Sequence, residues 1–209
     1  MSATIIQLPL GPLQTNCYIL GCSETNQAAV IDPSWAGDAI ARLVEEKGWS
    51  LTHILLTHAH FDHVGGLAEL KAATGAPIYI HPDAVPMLAA AEQSAARWEI
   101  ALVPPPAADV MLAGGDTLSV GALQLKVLYT PGHAPGHVCF HLAADRAIFD
   151  GDVLFQGSIG RTDLPGGDFD TLMASIRDQL LTLPDETVVL SGHGPATTIG
   201  QEKTSNPFL

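Results

Sequence analysis

Five histidines and two aspartates stand at or just beyond the ends of short apolar runs, a placement able to cage metal ions. Ile54-Leu55-Leu56 leads into Thr57-His58-Ala59-His60-Phe61-Asp62-His63, and Leu125-Lys126-Val127-Leu128 precedes Thr130-Pro131-Gly132-His133. Ala147-Ile148-Phe149 runs into Asp150-Gly151-Asp152, and Val188-Val189-Leu190 into Ser191-Gly192-His193. His58 and His60 lie two apart in a turn leaving a strand, so both rings can reach one ion. Asp62 and His63 follow where the chain turns towards helix, and they aim elsewhere. Four ligands within six residues crowd one tetrahedral ion but suit two ions about 3.5–4 Å apart that share a solvent oxygen. His133, Asp152 and His193 then complete two shells. Imidazole and carboxylate without thiolate favour zinc, iron or manganese over copper(I) or a cluster. Two divalent ions, zinc first among them, are the expected cofactors. Each of the three later ligands follows a glycine, which lets a strand end turn sharply.

Other polar residues read differently. A metal-bound imidazole needs an acceptor on its other nitrogen, and Asp32, just after Val30-Ile31, is expected either to supply one or to cap a turn. His137, four after His133, reads as a hydrogen-bonding brace for that loop. Arg161, in a glycine-rich stretch downstream of Asp152, could grip a substrate carboxylate with both arms or pair with Asp163 or Asp168. His81 reads as a structural histidine, His53 and His141 as surface or packing residues, and Trp35, Trp49 and Trp98 as packing residues.

Positioning these groups requires a specific set of elements. Ile5–Leu8, Cys17–Leu20 and Ala28–Ile31 are β-prone runs separated by turns, which predicts an antiparallel start. Ile40, Leu43 and Val44 recur at helical spacing within 36–47, and Gly48 stops that helix. A strand at 51–56 is followed by a helix over 64–74 that begins inside the histidine cluster. Residues 82–96 are partly helical, and Pro104-Pro105-Pro106 forces an extended, mobile connector over 103–107. Short strands fill 116–150, a helix spans 168–181 and a last strand 187–190. Two sheets packed face to face with helices outside would bring the four ligand-bearing ends to one edge.

At 209 residues and 47% hydrophobic content, one domain over residues 1–209 is expected. No apolar stretch approaches the ~20 residues of a membrane span, and the start lacks a secretory pattern, so a cytoplasmic protein is expected. The three cysteines form no Cys-x-x-Cys pair and read as small core residues. A net charge of −13 disfavours nucleic acid. The oligomeric state is left open.

Thr57–His63 with His133, Asp152 and His193, in that order, resembles the metallo-β-lactamase-fold hydrolase superfamily across nearly the whole chain. Within it, Gly157-Ser158-Ile159-Gly160-Arg161-Thr162-Asp163 and the ending from Gly192-His193-Gly194-Pro195 to Asn206-Pro207-Phe208 resemble the short glyoxalase II-like hydrolases. The resemblance implies a four-layer αββα sandwich of two mixed sheets. It also implies one metal on His58, His60 and His133, a second on Asp62, His63 and His193, and Asp152 bridging both. An aspartate in the bridging place argues against the β-lactamases proper, several of which carry cysteine there. The expected chemistry is hydrolysis of a small-molecule thioester such as S-lactoylglutathione by hydroxide held between the metals, with Asp62 orienting it. Only sixteen residues follow His193, where full-length glyoxalase II resembles this chain plus a helical segment that helps hold glutathione. Two alternatives stand beside it: a mononuclear-iron oxygenase of the persulfide dioxygenase type, which the Gly160–Asp163 stretch also resembles, and a metal-dependent module without catalysis.

Overall fold

The computed structural model describes residues 3–209. β1 (Ala3–Leu10), β2 (Thr15–Cys22) and β3 (Gln27–Ile31) form the antiparallel start. α1 (Gly37–Glu46) then crosses to β4 (Ser50–Leu55), and α2 (Leu67–Thr74) to β5 (Ile78–Ile80). α3 (Val85–Ala89) and α4 (Ala91–Ala96) lead to β6 (Val110–Met111). These six strands make one sheet in sequence order, antiparallel up to β3 and parallel beyond it.

The second sheet contains β7 (Thr117–Val120), β8 (Leu123–Tyr129), β9 (Val138–Leu142) and β10 (Ala147–Gly151). A hairpin of β11 (Leu154–Phe155) and β12 (Ser158–Ile159) leaves it, and α5 (Phe169–Ser175) returns to β13 (Val188–Ser191), β14 (Thr197–Thr198) and α6 (Ile199–Ser205). Its order is β14-β13-β10-β9-β8-β7.

Strand alternation sorts the core into layers. Tyr18, Ile31, Leu55 and Tyr79 are register neighbours across the first sheet, and Val127, Phe140, Phe149 and Leu190 across the second. Both rows pack into the cluster between the sheets. The intervening row Ile19, Val30, Ile54 and Ile78 faces α1 and α2 through Ile40, Leu67 and Leu70. On the far side Cys139, Ile148 and Val189 meet Leu172 of α5 and Ile199 of α6. The result is a four-layer αββα sandwich. A one-residue slip in any central strand would exchange these rows between layers, so the alternation holds the register. The three cysteines are buried and unpaired, and no described helix is long and apolar enough to cross a membrane.

Four segments depart from expectation. Asp62 and His63 sit on a separate 3-10 turn, Phe61–His63, and the α-helix starts only at Leu67. Gly65 and Gly66 lie between them against the Ser34–Trp35 backbone, where any side chain would collide. The helix expected over 168–181 is capped by Asp168, which accepts from Thr171 N at 2.8 Å, but it widens into a π-helical turn over Ile176–Leu180. α6 carries no apolar periodicity to announce it, because the side chain it buries beside Ile199 is Glu202. Trp98 is 56% exposed, so it is no packing residue.

Candidate metal centre

β8, β10 and β13 run in one direction, and the turns after their last residues meet the turn after β4. Backbone bonds tie these turns together: Val138 N donates to Thr57 O at 2.8 Å, Asn16 N to Gly192 O at 2.7 Å and Gly192 N to Gly151 O at 2.6 Å. All seven residues singled out in the sequence converge. His58, His60 and His133 offer ring nitrogens within 4.8 Å of one another, and Asp62, His63 and His193 form a second such group. Asp152 lies between them. Its Oδ1 is 3.4 Å from His63 Nε2, and its Oδ2 is 3.5 Å from His133 Nε2 and 3.6 Å from His193 Nε2.

Two glycines permit this approach. A bulge in β10 falls between Phe149 and Gly151, and Gly151 takes φ +54° with no room for a Cβ against Thr57 and His137. The bulge sends Asp152 into the cluster while Asp150 turns away and accepts from Leu154 N at 2.9 Å. A Cβ on Gly192 would strike the Asp152 carboxylate and lie 2.6 Å from His63 Cε1.

Hydrogen bonds fix how each ring presents itself. His133 Nδ1 faces the Arg161 carbonyl at 2.8 Å, an acceptor only, so Nδ1 carries the proton and Nε2 a lone pair. Asp32 does the same for two other rings. Its Oδ2 accepts from His63 Nδ1 at 3.0 Å and from Thr57 Oγ1 at 2.6 Å, and its Oδ1 from Thr57 N at 2.8 Å. Because the Thr57 hydroxyl donates to Asp32, it accepts from His58 Nδ1 at 3.0 Å. His58 Nε2 therefore turns its lone pair inward, towards His60 Nδ1 at 3.0 Å, which also lies 2.9 Å from His133 Nε2.

The electrostatics call for a cation. Burial and the neighbouring rings hold His58 far below the ordinary imidazole value and His60 down at about 4, so both are neutral near pH 7. Burial opposes charge on Asp62, but His63 and the bond from His193 hold its carboxyl down at about 2. Burial likewise opposes charge on His63, yet Asp152 and Asp62 push it well above its usual range. Two carboxylates thus draw a proton onto a buried ring, a place a divalent cation would take, while among the described residues His63 Nε2 and Asp152 Oδ1 find no hydrogen-bond partner. Inward lone pairs, ionised carboxylates and unpartnered buried atoms fit divalent cations.

The supporting contacts of Thr15, Asn16 and Tyr18 carry no sequence signal. Thr15 Oγ1 donates to Asp62 Oδ2 at 2.9 Å, and that oxygen also meets His193 Nε2 at 3.2 Å. Asn16 Nδ2 donates to the carbonyls of Ser191 and Gly194, and Tyr18 Oη to that of Ser191, which steadies the His193 turn. His137 bonds Thr130 Oγ1 through Nδ1 at 3.0 Å and accepts from Asp152 N through Nε2 at 3.2 Å. The Arg161 guanidinium meets Asp163 at 2.7 and 2.8 Å, so what the residue offers the cluster is its carbonyl. Thr15→Val removes a donor from Asp62 at constant shape. It is expected to weaken divalent-ion binding about tenfold in competition with a chromophoric chelator, with Thr15→Ser near wild type.

A sequence profile described as the Metallo-beta-lactamase superfamily matches residues 10–193. The chain belongs to that superfamily. Among metallo-beta-lactamase superfamily relatives, Hydroxyacylglutathione hydrolase GloC of Haemophilus influenzae is 40% identical over 209 residues, covering 97% of this chain and 96% of that protein. The crystal structure of BLEG-1 B3 metallo-beta-lactamase superposes with a TM-score of 0.92 at 41% identity, covering 99% of both chains. TTHA1623, solved in a di-iron-bound form, superposes with a TM-score of 0.90 at 43% identity, covering 98% of this chain and all of that one. In this metallo-beta-lactamase superfamily member His60, Asp62, His133, Asp152 and His193 line the floor of a cleft of about 1240 Å³, while His58 and His63 are fully buried. Such a floor can activate water beside a carbonyl held in the cleft.

Proposed function

We propose that the protein is a two-metal hydrolase of thioesters, working as one domain over residues 1–209. One ion would rest on His58, His60 and His133, the other on Asp62, His63 and His193, and Asp152 would reach both. The observation that carries this reading is the position of Asp152, whose two oxygens face both donor groups on the floor of an open cleft. When bound, the metal pair supplies Lewis acidity, which acidifies water and stabilises an oxyanion.

The chain's own groups do the rest. Asp62, ionised and oriented through Oδ2 by Thr15, accepts a hydrogen bond from the attacking water and sets its direction. Asp32, Thr57 and the Arg161 carbonyl hold one N–H of His63, His58 and His133 on the nitrogen that faces away from the centre. The leaving group separates thioesters from β-lactams. A thiolate departs unaided, whereas an amide nitrogen needs a proton, and Asp62 is held ionised. β-Lactam hydrolysis, which the sequence disfavours, joins the oxygenase and the binding module as an alternative because BLEG-1 bears that name.

The test strips the protein with chelator and reloads it with zinc, iron or manganese, following thiol release and oxygen uptake. Activity is expected to vanish on chelation and return with two equivalents of metal, without oxygen consumption. Oxygen uptake with one iron per chain would establish the oxygenase instead. Turnover of a chromogenic cephalosporin without thiol release would establish the lactamase, and a metal-loaded protein inert to every thioester would leave a binding module.

A further inference from the structure

The cleft above the centre has two unlike sides. Phe61, Met87 and Trp98 form one, and Phe155, Leu164 and Pro165 the other. Apart from Phe61, on its 3-10 turn, the first side belongs to α3, α4 and the residues just beyond. Met87, Ala90, Ser94 and Arg97 share its cleft face at spacings of three and four, while Ala84, Leu88, Ala91 and Ala95 are buried behind it. This side runs alongside the centre, since Ala84 packs on Gly136 in the His133 loop and the Trp98 ring lies 6.5 Å from that of Phe61.

Two cations line the cleft, and they differ. Arg161 is neutralised by Asp163. Arg97 makes no side-chain hydrogen bond or ion pair among the described residues, and Asp83, which also lines the cleft, accepts from Tyr129 Oη at 3.0 Å. An unpaired guanidinium at the edge of an apolar wall, in a chain of net charge −13, matches one carboxylate on an otherwise apolar ligand. A polyanionic thiol would meet long-range repulsion and find, among the described residues, one unpaired guanidinium in the cleft.

Building on the hydrolase reading, we propose that the substrate is a thioester with an apolar acyl chain and a single carboxylate, the chain lying on Trp98 and Met87 and the carboxylate on Arg97. Hydrolysis adds water across the C–S bond and releases a carboxylic acid and a thiol, with no further reactant. Arg97 and Trp98 select the substrate and leave the chemistry to the floor of the cleft.

The test compares hexanoyl and lactoyl thioesters of 3-mercaptopropionate with those of neutral N-acetylcysteamine, with hexanoyl-coenzyme A as the polyanionic arm. Wild type is expected to favour hexanoyl-3-mercaptopropionate about tenfold or more in kcat/KM over the neutral, lactoyl and coenzyme A compounds. Arg97→Gln should bring the anionic-to-neutral ratio close to one, Arg97→Lys should keep part of it, and Trp98→Ala should erase the hexanoyl preference. If wild type cleaves the neutral thioester but shows no anionic preference, or if Arg97→Gln keeps that preference, the inference falls and the hydrolase reading stands. If no thioester is cleaved, the hydrolase reading falls, and calorimetry with the inert thioether S-hexyl-3-mercaptopropionate decides the inference. Binding about tenfold tighter to wild type than to Arg97→Gln supports it, and equal or absent binding overturns it.

Discussion

Asp152→Asn should lower kcat/KM towards thioesters by about 10³-fold or more and leave the protein unable to hold two metal equivalents. The side chain keeps its shape but loses the charge that faces three imidazoles, at 3.4 Å from His63, 3.5 Å from His133 and 3.6 Å from His193. An amide also turns N–H donors or a weaker carbonyl oxygen towards lone pairs already committed to the centre. The buried His63 ring loses the Asp152 charge that favours its protonation, so metal-free protein should lose stability as well. Elemental analysis gives the metal count, thiol release gives the rate, and denaturant unfolding after chelation isolates the folding effect. Activity within tenfold of wild type would remove Asp152 from the reaction.

The second large effect is expected at Asp32, which never faces the cleft. Its carboxylate, on a residue only 2% exposed, receives the Thr57 amide, the Thr57 hydroxyl and His63 Nδ1. Asp32→Ala strands all three donors in the interior. Each stranded group costs about 1–3 kcal/mol, and local relaxation should leave a net loss of about 3 kcal/mol in urea unfolding of metal-free protein. Two histidines lose their orientation together, His63 directly and His58 through Thr57, so metal affinity should fall about 10–100-fold. Asp32 also sits at φ +49°, which costs asparagine less than alanine. Asp32→Asn should therefore lie between wild type and alanine in stability. If alanine leaves both stability and metal affinity intact, the carboxylate does no more than cap a turn.

The two positions show how much the sequence reveals. The cluster His58, His60, Asp62 and His63 is local, so its spacing at a strand end makes it legible as a set of candidate metal donors. His133, Asp152 and His193 are visible because apolar runs precede them and glycines mark their turns. The layers follow from β-prone runs alternating with helical spacing. What supports the ligands is less legible. Thr15 reaches Asp62 across a gap in sequence that no spacing rule bridges, and the Arg161 carbonyl that orients His133 is backbone, which any residue type could supply. The guanidinium of Arg161 drew attention, but Asp163 occupies it, and Arg97 gave no sign because its cleft face mixes alanine, serine and methionine. α6 escaped for a related reason. Glu202 is fully buried, accepting from Thr197 Oγ1 at 2.5 Å, Gly157 N at 2.8 Å and Asn206 Nδ2 at 2.9 Å, whereas a glutamate in an exposed-looking stretch reads as surface.

The first sheet supplies one set of ring nitrogens and the second sheet supplies the rest, so neither half owns a complete shell. Ion capture must therefore come late in maturation, after the two halves have docked, because a partly folded chain offers only scattered donors. On the two-metal reading, bound ions would act as rivets across the seam, and opening the sandwich would require expelling them, so the loaded protein should come apart more slowly than its packing alone would dictate.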